Sequence, residues 1–334
     1  MFRFTFLLSS VVFSIMFTEV GKCEPTDQKP PLKAGIIGLD TTHVVMFTKI
    51  LNDPHPLEDV SGVRVVAAFP GGSRDIPFSR DRLELFTKEV RKLGVEIVDS
   101  IEELLTRVDV VLLESVDGRP HLAQARPVIA AGKPLFIDKP MAASLADAML
   151  IFRLAKERNV PCFSASSLRF SAGFQAARSG KPFGRVLKCT AWSPLHLEPH
   201  HPDLFWYGIH GVEILFTIMG PGCERVTRLA PDKVLGVWKD GREGIYEARE
   251  DYGAIVKGEL GEGSAGKFDG YRPLVVEIVK FFQTGRPPVA PEETLEILAF
   301  MEAADESKRL HGAPVTIESI MRRAEEQIAA AGNK

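Results

Sequence analysis

The chain has 334 residues, which suits two domains of ordinary size or one large domain. Hydrophobic residues make up 45% of it and charged residues 25%, a globular balance that excludes a disordered, collagen-like or polytopic membrane chain. The 41 lysines and arginines against 44 acidic residues give a net charge of −3, so nucleic acid is not an expected partner.

The N-terminal segment has the features of a secretory signal peptide. One cation, Arg3, precedes an apolar stretch over residues 4–17, and these 14 residues are too few for a membrane span of about 20. Small residues occupy the −3 and −1 positions of a cleavage site after Cys23. We predict that residues 1–23 direct export and are removed, leaving no stable membrane span and a periplasmic or secreted protein. An uncleaved anchor is the alternative, and residues 24–32 are predicted as a leader or linker.

Residues 33–165 alternate short apolar runs with helical patterns. The runs predicted as buried strands are 33–39, 63–69, 95–98, 109–114, 135–138 and 161–164. The helical patterns between them are 79–93, 101–107, 120–131 and 144–158. This alternation predicts an α/β fold, a doubly wound parallel sheet of the Rossmann type. Ligands of such sheets bind beyond the carboxyl ends of the strands, so the residues after each strand are the candidates.

The pattern changes over residues 166–334. Five segments with turn residues between most of them are predicted as strands: 186–192, 225–229, 233–238, 244–249 and 254–259. Three segments are predicted as helices: 203–219, 273–284 and 291–310. We therefore expect a second, α+β domain built on a largely antiparallel sheet.

Three segments resemble the Gfo/Idh/MocA oxidoreductase family. Residues 132–140, Gly-Lys-Pro-Leu-Phe-Ile-Asp-Lys-Pro, are similar to its hallmark segment, a glycine-lysine start, an apolar strand and then Glu-Lys-Pro, with Asp138 as the acid here. His121 with the helix after it, and residues 285–289 with the closing helix, match as well. Together the matches extend over most of residues 33–317.

The resemblance implies a function as well as a fold. It implies a Rossmann dinucleotide-binding domain over residues 33–165 and a substrate and dimerisation domain over residues 166–334. It also implies NAD(P)-linked oxidation or reduction of a sugar, inositol or related polyol by a homo-oligomer. The family's chemistry uses a nicotinamide, a lysine near the reacting oxygen and a histidine that moves the proton.

Two residues match the catalytic positions that the resemblance implies. Lys139 follows the fifth predicted strand, where a cation stabilises a developing alkoxide. His210 lies in residues 206–213, which are similar to the family's Asp-x-Gly-x-His-x-x-Asp, except that Trp206 replaces the first acid and Glu213 the last. The alternatives are a surface lysine and a core histidine.

The expected nucleotide loop departs from G-x-G-x-x-G. Residues 38–43 read Gly-Leu-Asp-Thr-Thr-His, so Asp40 brings a negative charge to the pyrophosphate position and His43 replaces the third glycine. No acid follows the second strand, where Ser73 and Arg74 suit the 2′-phosphate of NADP. The residues that we predict around NAD or NADP are Gly38, Leu39, Asp40, Thr41, Thr42, Ser73, Arg74, Ser115, His121 and Asp138.

A polar set is predicted to line the substrate cleft: Arg169, His200, His201, Asp203 and Glu213. An extended segment would put His196, Glu198 and His200 on one face, so a zinc-type site is the alternative for them, although we predict no metal.

The function predicted from the sequence is that of an exported NAD(P)-dependent oxidoreductase acting on a carbohydrate or polyol. The degenerate loop is explained either by altered dinucleotide binding or by loss of the cofactor. A non-catalytic binding or regulatory protein therefore remains an alternative, as does a glycosidase that uses bound NAD through transient oxidation.

Overall fold

The structure is a computed structural model that describes residues 1–2 and 30–332. The predicted signal peptide, residues 1–23, and the leader, residues 24–32, lie outside the described residues except at their ends. Pro31–Lys334 forms one compact unit, to which the following description applies. No helix in the described part of the chain is long and apolar enough to cross a membrane.

A six-stranded parallel sheet forms the first half of the unit. Its strands are β1 (Leu32–Ile37), β2 (Val63–Phe69), β3 (Glu96–Ile97), β4 (Val110–Leu113), β5 (Leu135–Asp138) and β6 (Cys162–Ala165). They lie in the order β3-β2-β1-β4-β5-β6, and every neighbouring pair is parallel. This arrangement confirms the predicted doubly wound fold, and its strand order reverses between β1 and β4, where such folds bind ligands.

Five helices connect these strands: α1 (Thr42–Leu51), α2 (Pro77–Lys92), α3 (Ile101–Leu105), α4 (His121–Ala130) and α5 (Leu145–Glu157). Hydroxyl side chains cap three of them, because the oxygens of Thr41, Ser100 and Ser144 accept hydrogen bonds from first-turn amides. The cap on α1 fixes the direction in which the chain leaves β1 and enters the helix.

The second half contains a seven-stranded mixed sheet. Its strands are β7 (Val186–Ser193), β8 (Cys223–Ala230), β9 (Lys233–Trp238), β10 (Glu243–Ala248), β11 (Gly253–Gly258), β12 (Gly261–Ser264) and β13 (Val315–Thr316). The order is β12-β11-β7-β10-β9-β8-β13. Neighbours are antiparallel except β7 and β10, so the largely antiparallel sheet is confirmed with one parallel pair.

Five further helices belong to this part of the chain: α6 (Ala172–Arg178), α7 (Ile209–Met219), α8 (Arg272–Thr284), α9 (Pro291–Arg309) and α10 (Ile317–Gly332). Every residue of α7 is buried, and a side chain at Gly211 would collide with the ring of Tyr246, so α7 lies unusually close to the sheet. The helix predicted over residues 203–219 begins only at Ile209, because residues 203–208 form turns. Helices α6 and α10 were not predicted.

Helix α8 packs on the first sheet although it follows strands β7 to β12 of the second sheet in the chain. Its apolar residues, among them Leu274, Val275 and Ile278, belong to the same core cluster as Ile36 of β1 and Phe47 of α1. The start of α8 consequently reaches the carboxyl edge of the first sheet, where it brings a tyrosine to the site described next.

Candidate functional site

A cavity of about 220 Å³ lies at the carboxyl ends of the first sheet's strands, and we call it the central cleft. Its lining includes the α1 start, the residue after β5, the α7 start and aromatic residues from the second half of the chain. The polar side chains that line it include Thr41, Thr42, His43, Arg82, Lys139, Ser167, Tyr207, His210, Tyr252 and Tyr271. The cleft therefore brings together both predicted catalytic residues.

Lys139 is held in the cleft by the end of β5. Its residue surface is 8% exposed, and its ammonium nitrogen lies 5.6 Å from the ring centroid of Tyr207. The peptide bond between Lys139 and Pro140 is cis. Burial lowers the pKa of Lys139, and the neighbouring carboxylate of Asp138 opposes that shift.

His210 lies in the first turn of α7 with a hydroxyl as its partner. Its Nδ1 is 2.8 Å from Oγ of Ser166, and Tyr207 and Tyr252 meet its ring edge-on. Burial lowers the pKa of His210 well below its usual value, and the Lys139 charge adds to the effect. The side-chain hydrogen-bond partner of His210 in this structure is therefore a hydroxyl, that of Ser166.

A second histidine, His43, forms a buried pair with Asp138. The distance from His43 Nδ1 to Asp138 Oδ2 is 2.6 Å, and the His43 ring stacks on Phe47 and meets Tyr271 edge-on. Burial disfavours ionisation of Asp138, but His43 and Lys139 outweigh it and lower the pKa of that carboxyl. The sequence shows His43 only at the position of the third glycine. It does not predict the pair with Asp138, because the two residues lie 95 positions apart in the chain.

The Asp40 carboxyl group ties the first loop to two neighbouring segments. Its Oδ1 accepts a hydrogen bond of 2.9 Å from the Val116 amide, and its Oδ2 accepts one of 2.6 Å from Oγ of Ser79. The side chain is fully buried, and this burial raises the pKa of Asp40. Gly38 has φ of +89°, and a Cβ there would lie 2.3 Å from Oγ of Ser115, so only glycine fits.

The loop after β2 is tied to the loop after β4. Ser73 donates a hydrogen bond of 2.5 Å to Asp117, while Arg119 pairs with both Asp117 and Asp75 at 2.7 and 2.8 Å. Asp117 also lies 3.2 Å from Nε2 of the predicted substrate residue His201. Burial of Asp117 is outweighed by these hydrogen bonds, which hold its pKa well below the usual range. Arg74 is exposed.

The residues fit the two ends of a dinucleotide differently. At the reactive end, the cleft offers an ammonium, imidazoles and tyrosines around a small volume. At the pyrophosphate end, Asp40 stands where the second glycine is usual, and its carboxyl group accepts hydrogen bonds from Ser79 and the Val116 amide. The cleft is also smaller than the roughly 300–1,000 Å³ of most ligand pockets. The groups suited to the reactive end are therefore present, while the loop departs from the usual pattern at position 40.

Ser115 and His121 form hydrogen bonds that join neighbouring loops and helix α4. The ring nitrogens of fully buried His121 lie 2.8 Å from the Ser115 carbonyl and 3.1 Å from the Met141 carbonyl. Oγ of Ser115 donates to Gln124 of α4. These contacts hold the loops after β4 and β5, and a direct role of either residue in cofactor binding stays a prediction.

Arg169 and Glu213 lie in a buried ionic network outside the central cleft. Nε of Arg169 is 2.5 Å from Glu213, and Nη1 is 2.7 Å from Glu293, which also pairs with Arg178 at 3.1 Å. Arg169, Arg178 and Glu293 line a separate cavity of about 790 Å³ beside α8. The two predicted substrate residues are thus engaged with each other rather than directed at Lys139.

The remaining predicted substrate residues are dispersed. Asp203 pairs with Arg228 and Lys308 at 3.2 and 2.7 Å, away from the central cleft. Nδ1 of His200 is 2.6 Å from Glu198. In the described part of the chain, no group of three or more His, Cys, Asp or Glu side chains is arranged to hold a metal ion.

Comparisons with known proteins agree with this architecture. Residues 33–166 match the model of the GFO_IDH_MocA family, described as an oxidoreductase family with an NAD-binding Rossmann fold. No curated protein matches the sequence.

Three solved structures have the same fold at low identity. A probable dehydrogenase from Thermotoga maritima is 22% identical, with a TM-score of 0.68 over 86% of this chain and 100% of its own. An oxidoreductase from Agrobacterium radiobacter, in complex with NAD⁺, L-tartaric acid and magnesium, is 18% identical, with a TM-score of 0.66 over 86% and 99%. Scyllo-inositol dehydrogenase from Lactobacillus casei, with NAD(H) and scyllo-inositol bound, is 15% identical, with a TM-score of 0.65 over 86% and 99%.

Proposed function

Because residues 33–166 belong to the Gfo/Idh/MocA family of oxidoreductases, with its NAD-binding Rossmann fold, we propose that the protein is an NAD(P)-dependent oxidoreductase of a small sugar or polyol. The observation that carries the proposal is that Lys139 and His210 line one cleft at the carboxyl end of β5. The polyol and hydroxy-acid ligands named for the two structural neighbours support a small hydroxylated substrate.

The side chains of the cleft have distinct parts in this reaction. The nicotinamide supplies hydride exchange when it is bound. The Lys139 ammonium orients the substrate hydroxyl and stabilises negative charge that develops on its oxygen. His210, kept neutral by burial and held through Nδ1 by Ser166, accepts the hydroxyl proton at Nε2. Tyr207 and Tyr252 pack edge-on against this imidazole and limit its orientation.

Cofactor binding is the first test of this function. The purified protein is checked by absorbance for a bound nicotinamide, then heated with NAD, NADP and their reduced forms. We expect at least one of the four to raise the melting temperature, because a ligand of the native state stabilises it by mass action. No shift with any of them, in protein free of bound cofactor, would contradict the proposal.

Turnover of polyol substrates is the second test. We expect Lys139→Ala and His210→Ala to lose most of the activity while keeping the cofactor-dependent thermal shift. His55→Ala is the matched control, because His55 is exposed on a loop that does not line the cleft.

A binding protein without turnover is the second candidate function. The observation in its favour is the Asp40 carboxyl group, which already joins α2 to the loop after β4. Polyol binding that persists in Lys139→Ala, together with no response to any nicotinamide, would favour it.

We also propose export, since residues 1–23 carry the pattern of a signal peptide. Expression with this leader in a Gram-negative host should yield a periplasmic or extracellular protein whose mass corresponds to a chain beginning at Glu24. Full-length protein confined to the cytoplasm would contradict the proposal.

A further inference from the structure

We propose that His43, oriented by Asp138, is a general base that removes a proton from carbon next to a carbonyl group in the central cleft. The cleft would then catalyse proton exchange and enolisation of small hydroxyketones without a dinucleotide. This activity goes beyond the proposed oxidoreductase function, because no hydride moves and another histidine performs the step.

The geometry of His43 is that of an activated imidazole. Its Nδ1 is 2.6 Å from Asp138 Oδ2, and in the tautomer that donates from Nδ1 to this carboxylate the lone pair is on Nε2. The structure records no hydrogen-bond partner for that Nε2 among residues 30–332, and His43 lines the cleft. A carboxylate behind one nitrogen and a cavity on the ring is the arrangement that a proton acceptor requires.

Packing of α1 on the sheet does not by itself explain the His43–Asp138 pair. A glycine at position 43 would allow α1 and the sheet to pack closely, as in the usual nucleotide loop. His43 instead contacts the buried carboxylate of Asp138. An ionised group of this kind costs free energy when it is removed from water. Oδ1 of Asp138 has no hydrogen-bond partner in the described part of the chain, so burial of this pair is incompletely compensated.

Two other groups complete the site for this chemistry. Lys139 follows Asp138 directly in the chain, and its ammonium lines the same cavity as His43. Its positive charge would stabilise the oxygen of an enolate. His210 lines the same cavity. In the tautomer with its proton on Nε2, the opposite of the one that accepts a proton in the oxidoreductase reaction, it donates a hydrogen bond to that oxygen or to a neighbouring hydroxyl. Base and electrophile are therefore presented to one small volume.

The proposed step is balanced without an oxidant. The carbon–hydrogen bond breaks, and its proton forms a bond to Nε2 of His43. The electron pair left on carbon forms a carbon–carbon double bond, while the carbonyl π pair moves to the oxygen beside Lys139. Return of a proton from His43, or of a deuteron after exchange with solvent, restores the ketone. This step needs no dinucleotide, so it does not depend on the residue at position 40.

Deuterium exchange tests the proposal directly. The protein, without nicotinamide, is incubated in D₂O with dihydroxyacetone, erythrulose or 2-hydroxycyclohexanone, and proton NMR follows loss of the signal next to the carbonyl. We expect the protein to accelerate exchange of at least one probe. His43→Gln should reduce that rate about 10²- to 10⁴-fold, the usual contribution of a general base. His55→Gln is the matched control and should leave it unchanged.

Further variants separate the roles of the two paired residues. Added imidazole should restore part of the exchange to His43→Gly but not to Lys139→Met, because only the first lacks its base. Asp138→Asn should slow exchange, as expected of a positioning residue. In the double variant His43→Gly with Asp138→Asn, added imidazole should still restore part of the exchange. Melting temperatures of all variants show whether each remains folded.

Two outcomes would overturn the proposal. One is no acceleration of any of the three probes by the folded wild-type protein, and the other is unchanged exchange in folded His43→Gln or, should that variant not fold, in His43→Asn. Since the probes are followed without nicotinamide, this result is independent of the cofactor-binding test. Either proposal can fail while the other holds.

Discussion

At the scale of single residues, Asp40 is the departure from the usual nucleotide loop that we expect to matter most, because it stands at the position of the second glycine. Helix N-termini attract phosphate because of their free amides and dipole, and a carboxyl group placed there competes for the same space. Burial raises the pKa of Asp40, and the hydrogen bonds from Ser79 and the Val116 amide oppose that shift.

We expect Asp40→Gly to strengthen NAD(P) binding at least tenfold, because it opens the loop for the pyrophosphate. The loss of hydrogen bonds to Val116 and Ser79 should lower the free energy of unfolding by about 1–3 kcal/mol. Isothermal titration calorimetry and chemical denaturation measure the two effects. Asp40→Asn, which removes the charge but keeps the bulk, is the control. Equal or weaker cofactor binding by Asp40→Gly would show that the carboxyl group is no obstacle.

Asp305 should make stability depend on pH. Burial, followed by the nearby Asp203, raises its pKa from 3.8 to about 6. The folded state consequently binds more protons than the unfolded state between these values, and stability falls as pH rises through that window.

We therefore expect Asp305→Asn to be more stable than wild type at pH 8. The difference should vanish below about pH 4, where the Asp305 carboxyl group of the wild type becomes protonated in the folded and the unfolded state alike. Urea denaturation at the two pH values tests this. A constant difference between the two proteins at both values would contradict it.

At the scale of elements, α7 contributes one residue to the central cleft and another to the ionic network beside the larger cavity. His210 in its first turn faces the central cleft, while Glu213, three residues later, joins the network beside the larger cavity. One helix thus links the candidate catalytic histidine to a buried ionic cluster.

We expect Glu213→Gln to lower the free energy of unfolding by about 3 kcal/mol, because the buried Arg169 loses one of its two carboxylate partners. The double variant Arg169→Met with Glu213→Leu should recover much of this loss, since it removes both charges. Chemical denaturation of the single and double variants measures the difference. A single variant as stable as wild type would mean that Glu293 alone neutralises Arg169.

The parts of the site that local pattern determines were predictable. Lys139 follows a buried strand of a parallel sheet, and such residues meet at one edge, so its position followed from periodicity and the family segment. The His43–Asp138 pair was not predictable, because it depends on how α1 lies over β5. Glu293 was missed for the same reason, since it reaches Arg169 across 124 residues of sequence. The C-terminal helix α10 did have a local signal, the apolar spacing of Ile317, Ile320, Ala324 and Ile328.

At the scale of the whole molecule, the second sheet carries apolar side chains on its surface. Leu187 of β7, Leu229 of β8 and Ile255 of β11 are all exposed. We propose that the homo-oligomer implied by the family resemblance covers this sheet.

We expect the purified protein to be at least dimeric, and Leu187→Lys with Ile255→Lys to shift it toward monomer. Light scattering after size-exclusion chromatography gives both masses. A monomeric wild-type protein would contradict this prediction.

The return of α8 to the first sheet has a consequence during synthesis. The core beside β1 and β2 includes Leu274, Val275 and Ile278, so the N-terminal half leaves a ribosome with part of its apolar surface uncovered. That surface stays open until more than a hundred further residues have been translated. Tyr271, which meets His43 edge-on, arrives with the same helix. The central cleft is therefore completed late, after six of the seven strands of the second sheet have been made, and a chain truncated before α8 would lack both a finished core and a finished site.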